Sequence, residues 1–399
     1  MQVVSDLFDA AVIDDPYPFY ERLRGTAPVH RVGDTGFYLV STAEAVREAT
    51  ARTDDFSSNL TATLVQHGDR AAVFDMDGAG EARHVLATAD DPHHALERKL
   101  VLPGLVAKRI RALEPEIEHI AERLWEAAAS ENTIEWMSAM GDRLPMTLVA
   151  KLIGLPDADV PQLVDWGYGS TELLGGVVAQ DRLPVVVNAA VQLGGYLHTA
   201  FDDAMRHPHD DLLGDLARAV DAGDVDREVA VLMLIQLVGA GGESTAGLIG
   251  NAARLLATHH DLQAVVRADA ALLAPLLEET LRLESPFRAH HRHVTTDTAL
   301  AGVDLPRGGH LLLMWGSANR DPEAFDDPDL PRLDRANLRG HLAFGKGLHF
   351  CVGAALARTE ARIALQTLLD HTTWFRLADA EWLPSIFVRR HRRLELAVD

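Results

Sequence analysis

Apolar residues recur every three or four positions through most of the chain. Arg109 to Ala128 carries Ile110, Leu113, Ile117, Ile120, Ala121 and Leu124 on one face, and the stretches 143–154, 186–205, 227–257, 271–283 and 353–369 repeat the pattern. Such spacing predicts amphipathic helices, each with a stripe to bury. The longest apolar run, Val229 to Gly242, carries Gln236 and ends in glycines. It falls short of the roughly 20 residues a membrane span needs and reads as a helix through the core. Alternating or β-branched pieces are few: Val29 to Val32, Phe37 to Val40, Ala299 to Val303, His310 to Met314, and a C-terminal group at Phe387 and Leu394 to Val398. The expected fold class is mainly α with a small β portion, concentrated at 25–60, 290–320 and 384–399.

With 399 residues, 47% of them hydrophobic, and no Gly/Ser- or Pro-rich linker, one domain spanning 1–399 is expected. The start, Met-Gln-Val-Val-Ser-Asp, has neither a basic nor an apolar leader region, so no secretion signal is expected. The single cysteine, Cys351, excludes an internal disulfide, and together these features predict a soluble, cytoplasmic protein of bacterial type without a membrane anchor. A formal charge of −22 argues against nucleic acid as a partner. Two locally basic groups stand out from that background: Arg98, Lys99, Lys108, Arg109 and Arg111, and then Arg339, Lys346, Arg358 and Arg362. Both could border one face that receives a small acidic electron carrier.

The chemistry centres on Phe344-Gly-Lys-Gly-Leu-His-Phe-Cys351 and the Gly353 that follows. Glycines and an aromatic shape a tight loop, the cysteine closes it, and a small-residue helix starts immediately behind. Amide groups at a helix N-terminus favour a thiolate, which a strong axial donor to haem iron must be. No Cys-x-x-Cys-His occurs, so any haem is b-type. The run resembles the cysteine-ligand loop of the cytochrome P450 family. Asp15-Pro-Tyr-Pro-Phe-Tyr-Glu-Arg-Leu-Arg24 and Ala318-Asn-Arg-Asp-Pro-Glu-Ala-Phe325 resemble the family's N-terminal helix entry and the run into its meander, so the likeness covers almost the whole chain.

That resemblance implies the cytochrome P450 fold, with haem b held between the long central helix and the cysteine loop, and it implies roles for individual residues. Cys351 would be the iron ligand, with Phe344, Gly345 and Gly353 shaping its loop. His94, Arg98, Arg292 and His349 would meet the haem propionates. Glu279-Thr-Leu-Arg282 lies 72 residues before Cys351 and resembles the family's buried Glu-x-x-Arg pair, with Arg335 as third partner. Around Arg335 the chain departs from the pattern, having Leu330-Pro331 where Arg-Phe is commoner. Val238-Gly-Ala-Gly-Gly-Glu-Ser-Thr-Ala246 lacks the third glycine and preceding strand of a dinucleotide loop. Its glycines and hydroxyls inside a helix predict a loosened bend. It resembles the family's oxygen-activating stretch: Ala240 and Gly241 face the haem, Glu243 is the acid, and Ser244 is the alcohol in place of threonine. Thr245 points about 100° away and is the weaker substitute.

Arg288-Ala-His-His-Arg-His293 invites a metal reading, but an extended segment sends His290 and His291 to opposite faces. The family places this segment beside the substrate, which makes Phe287, His290, Ile386 and Phe387 candidate pocket residues. The implied activity is monooxygenation of a small, largely apolar organic substrate, with electrons from ferredoxin and ferredoxin reductase. The same machinery could instead couple or desaturate, and a haem sensor that never turns over is the reading from another class. Such a sensor would need neither Glu243 with an adjacent hydroxyl nor a basic face.

Overall fold

Helix Arg227–Thr258 organises the protein. Its apolar positions are buried nearly all round, with Leu234, Leu248 and Leu256 each at most 1% exposed. Burial of each is worth roughly 1.5–3 kcal/mol. Helices Arg143–Ile153, Val160–Thr171, Leu183–Arg206, Leu273–Leu283 and Ala354–Asp370 pack around it. Its length and composition would suffice to cross a membrane, a correction to the shorter run read from the sequence. Neighbouring protein nevertheless covers it, and it buries Glu243, Thr245 and Asn251.

The computed structural model describes residues 5–68, 70–78, 80, 82–128 and 132–399. The first four residues, where no leader pattern was read, lie outside the described residues. The helices expected at 109–128, 143–154, 186–205, 227–257, 271–283 and 353–369 occur as Ala107–Ala128, Arg143–Ile153, Leu183–Arg206, Arg227–Thr258, Leu273–Leu283 and Ala354–Asp370.

The glycines at 239, 241 and 242 lie within the central helix and do not break it. The helix is continuous from Arg227 to Thr258. A Cβ on Gly241 would lie 2.8 Å from Val149, one on Gly242 2.6 Å from Met146, and one on Gly250 2.6 Å from the Met137 sulfur. These glycines let neighbouring segments approach the helix closely.

The β portion divides differently from expectation. Strands Val29–Arg31, Phe37–Val40, His310–Leu313, His290–Val294 and Phe56–Ser57 lie side by side in that order. His310–Leu313 runs parallel to Phe37–Val40 and antiparallel to His290–Val294, with Leu313 opposite His290 and Leu311 opposite Arg292. The C-terminal strand His391–Val398 belongs to a separate sheet with Phe375–Trp382 and Thr133–Glu135. Ala299 to Val303, read as one strand, is the turn of a hairpin made by Thr298–Leu300 and Val303–Leu305. Ala62–His67 and Arg70–Asp75 form another hairpin, unforeseen because its alternation is short.

Buried ionic networks join the layers. Glu279 takes two bonds from Arg282 (2.7 and 2.8 Å), one from Arg335 Nε (2.8 Å) and one from the Arg332 amide (2.9 Å). Both side chains of the Glu279–Arg282 pair are fully buried. Burial opposes its charge, but the two guanidiniums outweigh this and hold the Glu279 carboxyl below its ordinary value. Leu330, at the departure from the family pattern, contributes through its carbonyl, which accepts from Arg335 (2.8 Å). Its side chain is exposed, so its identity is free to vary. The Asp15-Pro-Tyr motif also finds its purpose. Tyr17 donates to Glu284 Oε2 (2.6 Å), which also accepts from Arg389 (2.8 Å), tying the N-terminal helix to the C-terminal segment.

Candidate active site

Cys351 closes a loop whose geometry the glycines make possible. Gly345 and Gly347 sit at φ +70° and +72°, left-handed values that side chains strain to adopt. The Cys351 amide donates to the Phe344 carbonyl (2.9 Å), and helix Ala354–Asp370 starts three residues on. The backbone amides of Gly353 and Ala354 at the helix start act to lower the thiol's pKa. Burial is nonetheless the largest influence, and the thiol is raised above its ordinary value despite those amides, Arg98 and Arg358. The thiolate bias expected from the sequence is therefore incomplete in the protein alone. The amides prepare the sulfur, and a cation at the site would have to complete its deprotonation.

A network absent from the sequence reading clamps this loop. Arg358 lies over the Phe344 ring, 4.4 Å from its centroid, and bonds Glu278 through two nitrogens at 2.6 and 2.9 Å. His341 joins Glu278 at 3.0 Å. Burial would raise Glu278, but these partners hold it down at about 2. The only sequence signal was adjacency: Glu278 precedes Glu279, and Arg358 lies seven residues past Cys351. Arg358 and Arg362, counted above in a basic cluster, are thus neutralised, Arg362 by Glu114 at 2.8 Å. Lys99, Lys108, Arg109, Arg111, Arg339 and Lys346 are exposed, as are Leu348 and Phe350.

Cys351 lines a large cavity that the central helix borders through Ala240, Gly241, Ser244 and Thr245. His94, Arg98, Arg292, Phe344, Gly345, His349 and Gly353 line it as well. Arg98 bonds the Phe350 carbonyl (2.8 Å), and Arg292, 7% exposed, bonds the His291 carbonyl (2.7 Å). Neither has a carboxylate bonded to it among the described residues. The His349 ring lies tilted against His94 with centroids 4.1 Å apart, and its Nδ1 is buried without a partner. Burial and neighbouring Arg292 lower His349 to about 4. Such a concentration of donors without an anion fits a flat cofactor carrying two carboxylates. The soft sulfur opposite two small residues fits its iron. Haem b matches the donor set.

The residues of the stretch that resembles the oxygen-activating motif divide between two cavities. Glu243 does not line the main cavity. It turns to the other side of the helix, accepting from Thr171 (2.7 Å) and Arg390 Nε (3.0 Å), and borders a second cavity with Ser385 and Arg392. Thr245, one residue further round the helix, also lines the main cavity. The Ser244 hydroxyl donates to the Ala240 carbonyl (2.7 Å), whereas no bond to the Thr245 hydroxyl occurs among the described residues.

Phe287 and His290 border the main cavity, but Ile386 and Phe387 do not. Ile386 belongs to a cluster with Leu7, Phe8 and Leu64, and Phe387 packs behind Phe287 at 5.0 Å between ring centroids. His290 accepts at Nδ1 from Trp315 (2.6 Å), while His291 meets Thr63 on the opposite side (3.2 Å), so the two imidazoles diverge. Gln236 also borders the cavity and accepts from the Ala87 amide (2.9 Å), a role its place in an apolar run did not disclose.

A long core helix facing a cysteine loop across a donor-rimmed cavity defines a haem-thiolate oxidoreductase. The chain belongs to the cytochrome P450 family. The family model described as Cytochrome P450 matches residues 252–384. Cytochrome P450 144 of Mycobacterium tuberculosis is 54% identical, over 99% of this chain and 91% of that protein. Cytochrome P450 monooxygenase PikC of Streptomyces venezuelae is 32% identical over 96% and 91%. Among solved structures, CYP109E1 from Bacillus megaterium in complex with testosterone superposes with a TM-score of 0.87 at 28% identity, covering 98% of this chain and 99% of that one.

Proposed function

We propose that this single-domain chain is a soluble, cytoplasmic monooxygenase that inserts one atom of dioxygen into a small, largely apolar organic substrate, using electrons from a ferredoxin-type partner. The observation that carries the reading is the convergence of Cys351, the Arg98/Arg292/His349 rim and the Ser244/Thr245 hydroxyls on one cavity. Bound haem b supplies the iron at which dioxygen is reduced and from which an oxygen atom is transferred.

The chain's own contribution is ligation, orientation and proton handling. Cys351 donates its sulfur from a loop held by Arg358 and Glu278. Arg98, Arg292, His94 and His349 would receive the propionates. The Ser244 proton is committed to Ala240, which leaves the hydroxyl oxygen free to accept from a water, and rotation would redirect the proton into the cavity. Glu243 is positioned to collect protons from the second cavity, and their passage requires its carboxylate to leave Thr171 and Arg390.

Ser244→Ala should retain haem and ligand binding but divert reducing equivalents to hydrogen peroxide, lowering product per NADPH by about tenfold. Ser244→Thr should preserve or improve coupling, since the β-methyl narrows the rotamers. Thr245→Ala should have the smaller effect. If Thr245→Ala uncouples turnover and Ser244→Ala does not, Thr245 is the working alcohol. The measurement is product formed per NADPH consumed with a surrogate ferredoxin and ferredoxin reductase.

Electron delivery is assigned to the exposed basic residues near the cysteine loop. Lys99→Glu with Lys108→Glu should slow reduction by an acidic ferredoxin and flatten its dependence on salt, while ligand-induced Soret shifts stay unchanged. Stopped-flow reduction at several ionic strengths would decide this, and an unaltered rate would move the docking site elsewhere.

A further inference from the structure

We infer that His290 is a fixed hydrogen-bond donor to the substrate, selecting molecules that carry a neutral oxygen acceptor, a carbonyl or hydroxyl, on an otherwise apolar body. The inference deepens the proposed function and rests on its placing substrate in the cavity that Cys351 lines.

His290–Val294 alternates faces, so His290 and Arg292 share the cavity side, while His291 and His293 meet Thr63 and Thr61 on the other. The His290 ring is then fixed from behind. Trp315 is 2% exposed, and its indole N–H can only donate; it donates to His290 Nδ1 at 2.6 Å. An accepting Nδ1 places the proton of the neutral imidazole on Nε2. No bond to Nε2 occurs among the described residues, and His290 borders the cavity. Phe287 and Phe387 hold the ring at centroid distances of 5.2 and 5.5 Å, leaving little room to turn.

Burial and Arg292 lower His290 to about 3, so the ring stays neutral through the physiological range and offers one N–H. The cavity is also lined by Leu86, Leu237, Leu248 and Phe287, and its Arg98, Arg292 and His349 are the donors assigned above to the propionates. One oriented donor among those apolar residues discriminates by leaving itself unpaired when the wrong ligand enters.

The test uses haem-loaded protein and two probes of matched shape, 4-phenylcyclohexanone and phenylcyclohexane, titrated by Soret shift. His290→Phe should raise the ketone's Kd about five- to tenfold, in keeping with the loss of one neutral hydrogen bond, and leave the hydrocarbon's within about twofold. Trp315→Phe keeps an aromatic ring but frees the tautomer, so it should weaken the ketone by a smaller factor and again spare the hydrocarbon. A merely structural role would shift both probes together in both variants, and that result would overturn the proposal. So would unchanged ketone binding by His290→Phe, and so would loss of haem from that variant, which would assign the N–H to a haem carboxylate. The underlying reading fails separately, if reduced, carbon monoxide-treated wild type lacks the red-shifted Soret band of thiolate ligation.

Discussion

Cys351→Ser is expected to fold and to lose the far red-shifted Soret band that the reduced, carbon monoxide-bound wild type should display. Oxygen and sulfur differ little in size, and the loop depends on the Gly345 and Gly347 backbone, the Phe344 carbonyl and the Arg358–Glu278 clamp rather than on the sulfur. The hydroxyl is a much poorer anion than the thiol, so the electron-rich donor disappears while the cavity stays. Activity should fall by orders of magnitude. Persistence of the red-shifted band in the variant would show that Cys351 is not the ligand.

Glu279→Ala is expected to destabilise the fold by roughly 3–5 kcal/mol, because it strands Arg282 and Arg335 without a counter-charge in a fully buried place. Arg282→Ala should cost a similar amount by leaving Glu279 with only part of its compensation. Against a typical total stability of about 5–15 kcal/mol, either loss should sharply reduce soluble haem-loaded protein. Arg358→Ala should cost less, since Arg358 is 28% exposed and water can replace part of what it gives Glu278. Melting temperature and haem content of the purified variants would check the order. Wild-type values in both Glu279 and Arg282 variants would mean the pair carries no stability.

The helical core was legible in the sequence because a buried stripe leaves a period of 3.6 that no neighbour needs to explain. The cysteine loop was legible because glycines at left-handed positions and a lone cysteine before a small-residue helix are local requirements. The packing role of the central helix's glycines was not legible, for the opposite reason. A gap in an apolar run looks like a break until Met146, Val149 and Met137 are seen to occupy the space a Cβ would take. Glu243 was correctly singled out as a carboxylate beside hydroxyls, but the side of the helix it turns to depends on Thr171 and Arg390, 72 residues before it and 147 after it.

The sequence by itself determined the family, the mainly α architecture, the single thiol available to an iron and the arginines and histidines available to its propionates. These are properties of composition, period and short-range order. Tertiary structure alone decided which of those groups face the same space. It withdrew Ile386 and Phe387 from the cavity, added Gln236 to it, neutralised Arg358 and Arg362, and set Trp315 behind His290. Each of those outcomes depends on contacts between residues far apart in the chain, where burial and a partner's lone pair, rather than local propensity, decide a side chain's charge, tautomer and direction.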